Sequence, residues 1–578
     1  MSDSPSDDIP CDESSDAAVE GMGMFQWVKI FTSKLGLDAL RGRLRNTKIL
    51  CAEACAGACT GTYILKELSE HLGFNTSTSS VSEPDPVKRA WISNNFGSRI
   101  DHHFKYVSEQ RMGGFCLQHN QDCTCPDEED LLLAGPPCQP YSRLSSLKRR
   151  VDWNPFDDPK GEAFLDTTRY IRHKRPTVAI LEEVADVMTP WPSTCQGTFF
   201  HKYKCPLDFM LSGEMEASGE KVGLNHIPNY WLTTMILETS HYQVPQTRKR
   251  LYMVLARKDV CSEEVVVNLP EIAGKVLSEA MREASRRPTI QEIMAHNRQV
   301  LQILERRPTF PAVSQDGKVS KSTKLLVKSF KKNLGVAPYG PVECYSNSEP
   351  ARSQLNNRER DCVDVHYASL QASGIDPEKA QCNVDVARSI GRRHIGKWGR
   401  TSALTRFVKI WDFEPQSFLS GEDLLILQGF QIEKLRLDGM KYSDLAALSG
   451  DSWTVPVAGA LITTVLAFLL PYKLGKKAPI LLSDFLTHND FPITESEWSF
   501  IPSPGEVSTC SDSEPEPHVE PVPLPKVKPF SRTLTSWHTR ALSPRFSDHS
   551  SDDGIGFGGV SRGFLGGRDA SAPSYAKD

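Results

Sequence analysis

At 578 residues the chain is too long for one ordinary hydrophobic core, so two ordered domains with additional tails are expected. Hydrophobic residues at 39% and charged residues at 24% match a soluble globular protein and exclude a wholly disordered or fibrous one. The net charge of −5 is small but unevenly distributed, so it excludes neither acidic nor basic partners. Fifteen cysteines are scattered along the chain with no secretory signal at its acidic start, which points to a reducing compartment.

Asp3, Asp7, Asp8, Asp12, Glu13, Asp16 and Glu20 occur without a lysine or arginine among them, so residues 1–22 read as a disordered acidic tail. A first strand begins at 48–51. It opens into Glu53-Ala54-Cys55-Ala56-Gly57-Ala58-Cys59-Thr60-Gly61, and residues 63–72 then have helical spacing, with Ile64, Leu65, Leu68 and Leu72 on one side. Strand, small-residue turn and helix together let backbone amides at a helix N-terminus approach a cofactor. The next strand, 78–82, ends at Glu83-Pro84-Asp85. An acid there either meets the ribose hydroxyls of a nucleoside cofactor or caps the helix that starts near Val87. A third short strand is expected over 105–109, ending at Glu109.

Cys116, His119, Cys123 and Cys125 crowd the following loop. Their spacing is irregular and nothing downstream pairs with them, so they read as spare thiols and no metal is assigned. Residues 130–142 form the centre of the chain. An apolar strand, 131–134, stops at Gly135-Pro136-Pro137, and the stiff turn presents Cys138 beside Gln139 and Ser142. Arg143, Lys148, Arg149 and Arg150 follow as a basic arm that is either a solvated face or a contact for a polyanion. A helix over 164–171 leads to a buried strand at 176–181 that ends in Glu182-Glu183-Val184. Strands at 230–237 and 250–255 flank a segment with Gln246, Arg248 and Arg250 at alternate positions, which puts the three on one face.

From 262 to 400 the pattern loosens around two basic clusters. Lys318, Lys321, Lys324, Lys328, Lys331 and Lys332 form one; Arg388, Arg392, Arg393, Lys397 and Arg400, with His394 and Trp398 between them, form the other. Basic residues interleaved with aromatics suit nucleic acid, although either cluster also reads as plain surface. Residues 455–470 are almost wholly apolar but fall short of the roughly twenty a spanning helix needs, and Pro456 and Pro471 bracket them. A buried helix, and no membrane, is expected. Beyond 476 the chain is rich in Ser, Pro, Gly and acid and reads as mostly disordered.

Taken in order, these pieces resemble the cytosine C5 DNA methyltransferases that use S-adenosylmethionine. Residues 55–61 resemble the family's first motif, closest to that of the de novo type eukaryotic enzymes. Gly135-Pro136-Pro137-Cys138-Gln139 resembles the catalytic Pro-Cys loop, Glu182-Glu183-Val184 stands where the family has Glu-Asn-Val, and Gln246-Thr247-Arg248-Lys249-Arg250 matches Gln-x-Arg-x-Arg. Residues 419–430 resemble the ninth motif, and Gly450-Asp451-Ser452 with Val455-Pro456-Val457 the tenth.

The resemblance implies an α/β, Rossmann-like S-adenosylmethionine-dependent methyltransferase fold with a mostly parallel sheet, a smaller target-recognition domain and disordered termini. Its parts would be a catalytic domain at 45–260 completed by 401–475, with 262–400 as the recognition region. It implies catalytic roles for Cys138, Glu182, Arg248 and Arg250, and substrate contacts from Gln139, Ser142 and Gln246. Cofactor contacts would come from Cys55, Gly57, Thr60, Gly61, Glu83, Glu109, Pro136, Asp451 and Ser452. The implied partner is duplex DNA with a flipped cytosine, and the implied compartment, together with tails that suggest a eukaryotic protein, is the nucleus. Three positions depart from the pattern. Cys55 replaces a phenylalanine that packs on the cofactor's adenine, and Glu183 and Asp451 replace asparagines. The two acids are expected to add negative charge at the site and weaken cofactor binding. Two other readings therefore stand beside DNA methylation: the same chemistry on RNA, as in the tRNA-methylating branch, and a nucleic-acid or chromatin-binding protein with a decayed cofactor site. No feature of the sequence speaks to oligomeric state.

Overall fold

A computed structural model describes residues 22–475 apart from 126, 128, 142–155, 157, 192–194, 196, 313–324, 326–327, 330–353 and 389–394. Ser142, the basic arm, most of the first lysine cluster, Arg392, Arg393, His394 and all but the last residue of the acidic tail lie outside the described residues, as does everything beyond 475.

The strands in chain order are β1 (Lys48–Ala54), β2 (Asn75–Ser82), β3 (Ile100–Phe104), β4 (Gly114–Cys116), β5 (Gln121–Cys123), β6 (Leu131–Ala134), β7 (Val178–Val184), β8 (Tyr230–Glu238), β9 (Gln246–Thr247), β10 (Lys249–Arg257), β11 (Asn383–Asp385), β12 (Ile395–Gly396), β13 (Thr401–Ser402), β14 (Ile410–Asp412) and β15 (Ser417–Phe418). Seven of them make the main sheet, in the order β3-β2-β1-β6-β7-β10-β8. All neighbouring pairs from β3 to β7 are parallel, and β10 alone runs against its neighbours. The sheet is therefore the mostly parallel, doubly wound type, and its strand order reverses between β1 and β6. Ligands of such sheets bind at that reversal, beyond the carboxyl ends of the strands.

Local chemistry sets the elements around this reversal. The helix Thr60–Leu72 buries Ile64, Leu65, Leu68 and Leu72 and stops at Gly73, whose φ of 81° a larger residue would strain to adopt. Gly61 is required by packing, because a Cβ there would fall 2.0 Å from Leu133 Cδ1. Asp85, not Glu83, caps the helix Pro86–Phe96, accepting a 2.9 Å bond from Val87 N. The strand expected over 105–109 is displaced: β3 ends at Phe104, and Glu109 sits inside the helix Val107–Met112. There its carboxylate accepts bonds from Lys105 N and Tyr106 N, so a capping interaction competes with strand formation and wins.

The helix Val455–Lys473 is among the described residues the one long and apolar enough to cross a membrane. Every residue from Val455 to Pro471 is buried in the protein's own core, with Gly459 seated against the Trp27 ring. The expected recognition region divides in two. Its first part forms the helices Glu263–Glu271, Leu277–Ala284 and Ile290–Ile303, which add Val265, Leu269, Leu277, Met281 and Ile293 to the main core. A separate core lies further on, where the helix Asn357–Ala372 packs on the antiparallel sheet β12-β11-β14-β15 through Val363, Leu370, Val384, Trp411 and Phe418.

Candidate active site

Register brings the candidate residues to one edge. Ala54 of β1 pairs with Ala134 of β6, and Ala134 with Leu181 of β7, so Cys55, Gly135 and Glu182 all come immediately after one level row. On the other side of β7, β10 sets Tyr252 against Glu182 and Arg250 against Val184. On β2, Ser82 O accepts from Ala56 N at 2.9 Å, which holds the first loop beside Glu83.

Cys138 lies in the turn after β6, closed by a 3.0 Å bond from Tyr141 N to Cys138 O, and is half-buried. Burial and the carboxyls of Glu183 and Glu182 push its thiol up to about 12, and the Arg250 guanidinium pulls the other way. Arg250 Nε stands 2.7 Å from Glu182 Oε1, close enough for an ion pair. That oxygen is buried and makes no hydrogen bond of good geometry among the described residues. Gln139 Oε1 is likewise buried without a partner.

Glu183 is wholly buried, and burial raises its pKa well above the usual carboxylate range, which disfavours the negative charge expected from replacing asparagine. Asp451 is not left alone: Lys88 Nζ lies 2.6 Å from Oδ2 and Arg406 Nε 3.0 Å from it, so two cations offset the charge its carboxylate adds.

A recess lies at the β1–β6 reversal, lined by Glu53, Cys55, Thr60, Gly61, Gly135 and Trp453 among others. Cys55 and Cys59 have φ of 54° and 58°, so two side-chain-bearing residues hold the left-handed turn that glycine usually takes. Gly57, at φ 56°, turns without a side chain where a Cβ would come 3.3 Å from the Asp451 carbonyl. Its amide donates to Glu83 Oε2 at 2.9 Å, and Asp85 N donates to Glu83 Oε1 at the same distance. Each oxygen keeps a further lone pair for a sugar hydroxyl. Burial holds the Cys55 thiol neutral, and with less surface than a phenylalanine it offers less to an adenine ring. Pro136 is buried and stiffens the loop.

Other expected site residues lie elsewhere. Arg248 is 3% exposed and donates to the carbonyls of Leu404, Gly450 and Ser452 at 2.9–3.3 Å. It ties the tenth-motif loop to β10, so its hydrogen-bonding capacity here goes to the backbone. Gln246 is fully buried, donating to Leu427 O and accepting from Leu404 N, and the Ser452 hydroxyl donates to Ser449 O. The three alternate residues thus separate, because the chain switches from β9, paired with β13, to β10. Sequence reasoning missed Trp453, Lys88 and Arg406. The tryptophan is adjacent to Asp451-Ser452 and was open to view, whereas the two cations reach Asp451 only through tertiary packing.

An open α/β sheet with a small-residue loop and an acid on one side of its strand reversal, and a cysteine loop on the other, defines the S-adenosylmethionine-dependent methyltransferase class. The comparisons narrow this. A model of the C-5 cytosine-specific DNA methylases matches residues 94–202. Over 446 residues the chain is 20% identical to the DNA (cytosine-5-)-methyltransferase DMT5 of Cryptococcus neoformans var. grubii, covering 74% of this chain and 17% of that one. It is 27% identical over 169 residues to the type II methyltransferase M.HhaI of Haemophilus parahaemolyticus, covering 28% of this chain and 42% of that one. The chain is thus similar over part of its length to cytosine C5 DNA methyltransferases. It spans less than half the length of either relative.

Proposed function

We propose that the protein is a DNA cytosine C5 methyltransferase acting in the nucleus on a flipped-out base. The observation that carries this reading is the single row of strand ends that brings together the Cys138 loop, the Glu182–Arg250 pair and the recess by Trp453. Carbon 5 of cytosine is a poor nucleophile until a group adds to carbon 6. Cys138 Sγ adds there as thiolate, while Glu182, as the carboxylic acid, donates its proton towards ring nitrogen 3 and so offsets the charge that develops on the ring. Arg250, already beside Glu182, keeps that carboxyl in place and faces the carbonyl side of the base. The cofactor, when bound, supplies the methyl group that carbon 5 attacks as its sulfonium carbon–sulfur bond breaks. A base then removes the carbon 5 proton, carbon 6 releases Cys138, and the ring regains its aromaticity.

Pairing of Asp451 with Lys88 and Arg406 supports a working cofactor site over a decayed one. The small sheet within 355–418, beside the exposed Trp398 and Phe407, is the proposed reader of the duplex. The test is covalent trapping. Full-length protein, cofactor and a DNA duplex carrying 5-fluorocytosine form an adduct at Cys138, since fluorine cannot leave as a proton; Cys138→Ala forms none. An adduct with a fluorocytosine RNA and not with DNA redirects the proposal to RNA, and no adduct with either overturns it.

A further inference from the structure

We infer that His102, Cys116, His119 and Cys123 form a tetrahedral zinc site that locks the β4–β5 hairpin onto the exposed edge of the main sheet. His102 comes from β3, Cys116 ends β4, His119 lies in the hairpin turn and Cys123 ends β5. One ligand atom from each of the four lies within 4.8 Å of the others. Cys116 Sγ is 3.8 Å from His102 Nδ1 and 3.6 Å from His119 Nδ1, and Cys123 Sγ is 3.4 Å from His119 Nδ1. Zinc bonds of about 2.3 Å to sulfur and about 2.0–2.1 Å to nitrogen put ligand atoms about 3.3–3.8 Å apart around a tetrahedron. The two sets of spacings agree.

The ligand chemistry also agrees. Two thiolates and two neutral imidazoles balance a divalent zinc ion, and binding expels the two thiol protons to solvent. His103 N donates to Cys116 Sγ at 3.4 Å, the kind of amide bond that steadies a metal thiolate. Phe104, Cys125 and Cys116 form a small apolar cluster on the inner side, so the site is closed from within. Sequence spacing hid it because the fourth ligand lies fourteen residues upstream of Cys116, on a strand, while Cys125, nearer at hand, turns inward and is not a ligand.

A structural role follows from position. β3 is the outermost strand of the sheet and an unpaired edge invites pairing with other chains. Leu117 N donates to His103 O at 2.7 Å, so the hairpin covers that edge, yet β4 and β5 have only three residues each. Such a hairpin is too short to persist alone, and a metal spanning its turn and both ends supplies the missing cross-links. The segment runs on to Asp130 and β6, so the clamp also restrains the approach to the Cys138 loop.

The experiment uses full-length protein purified from zinc-containing medium without chelator. Elemental analysis is expected to find about one zinc per chain, released by a mercurial that caps thiolates. His102→Ala and Cys116→Ser lose the metal, and Cys205→Ser, away from the site, retains it. Should the variants fail to fold, cobalt exchange into the wild type is expected to show tetrahedral visible absorption with sulfur-to-cobalt charge transfer. Alkylation of Cys116 and Cys123 should then speed up at least tenfold after chelation. Metal-free protein after zinc loading, a cobalt spectrum without thiolate bands, or a Cys116–Cys123 disulfide in protein that binds no zinc when reduced would each overturn the proposal.

Discussion

In the seven-stranded sheet, position is set by backbone register: Ala54, Ala134 and Leu181 lie level, and the candidate residues follow whatever their neighbours are. The four-stranded sheet has strands of two or three residues, and side chains do the positioning. Arg358 donates to the carbonyls of Val386, Ala387 and Arg388; Lys409 Nζ lies 3.0 Å from Glu359 Oε1; Gln291 Nε2 donates to Asp412 Oδ2 at 2.8 Å. A ladder of many weak bonds tolerates change at one residue, whereas a unit hung on a few buried polar groups is broken one residue at a time.

The largest expected contrast is in thiol reactivity. With its pKa near 12, Cys138 in the free protein should alkylate about tenfold faster for each unit of pH, about a thousandfold between pH 7 and 10, while Cys382 in the small core, fully buried, stays unmodified until unfolding. Mass spectrometry of iodoacetamide-treated protein checks this, and a plateau in Cys138 labelling below pH 9 would contradict it. Next comes Arg248→Ala, a place where the large unit relies on one side chain for three backbone carbonyls. It strands the carbonyls of Leu404, Gly450 and Ser452 and should cost about 3 kcal/mol or more in urea unfolding, with no recovery of recognition or chemistry to explain the loss.

Asp412 sharpens the small unit. Burial lifts its pKa to about 7 against about 3.9 in the unfolded chain, so the folded form binds the proton more tightly. That stability is present below pH 3.9 and is lost as pH rises towards 7. Asp412→Asn, whose partner Gln291 has an unpartnered Oε1 ready to accept, should therefore gain on wild type by about 2–3 kcal/mol between pH 5 and pH 8. Equal shifts at both values would sink the idea. Glu359→Gln keeps the cap on its helix but breaks the ion pair with Lys409, and about 1–2 kcal/mol is expected. A similar loss from a single polar change on the main sheet's ladder would erase the comparison.

Residue types alone determined the two βα turns, the strand that ends in the Pro-Cys loop and the buried reading of 455–470. These depend on local signals: a 3.6-residue period, paired prolines, small residues after a strand. They persist because register then carries each strand end to the same edge. Tertiary structure alone decided the state of the charges and the fate of the alternate residues. The raised pKa of Glu183 and the pairing of Asp451 follow from burial and from cations 363 and 45 positions away in the chain, and neither is visible in a local pattern. Arg248 left the substrate side because three carbonyls from the tenth-motif segment waited for it, and Glu109 left its strand for a helix cap. Cys116, His119 and Cys123 gained a purpose only when β3 brought His102 beside them. Local sequence specifies which backbone a residue occupies, but charge state, pairing and coordination are properties of what the fold places opposite it.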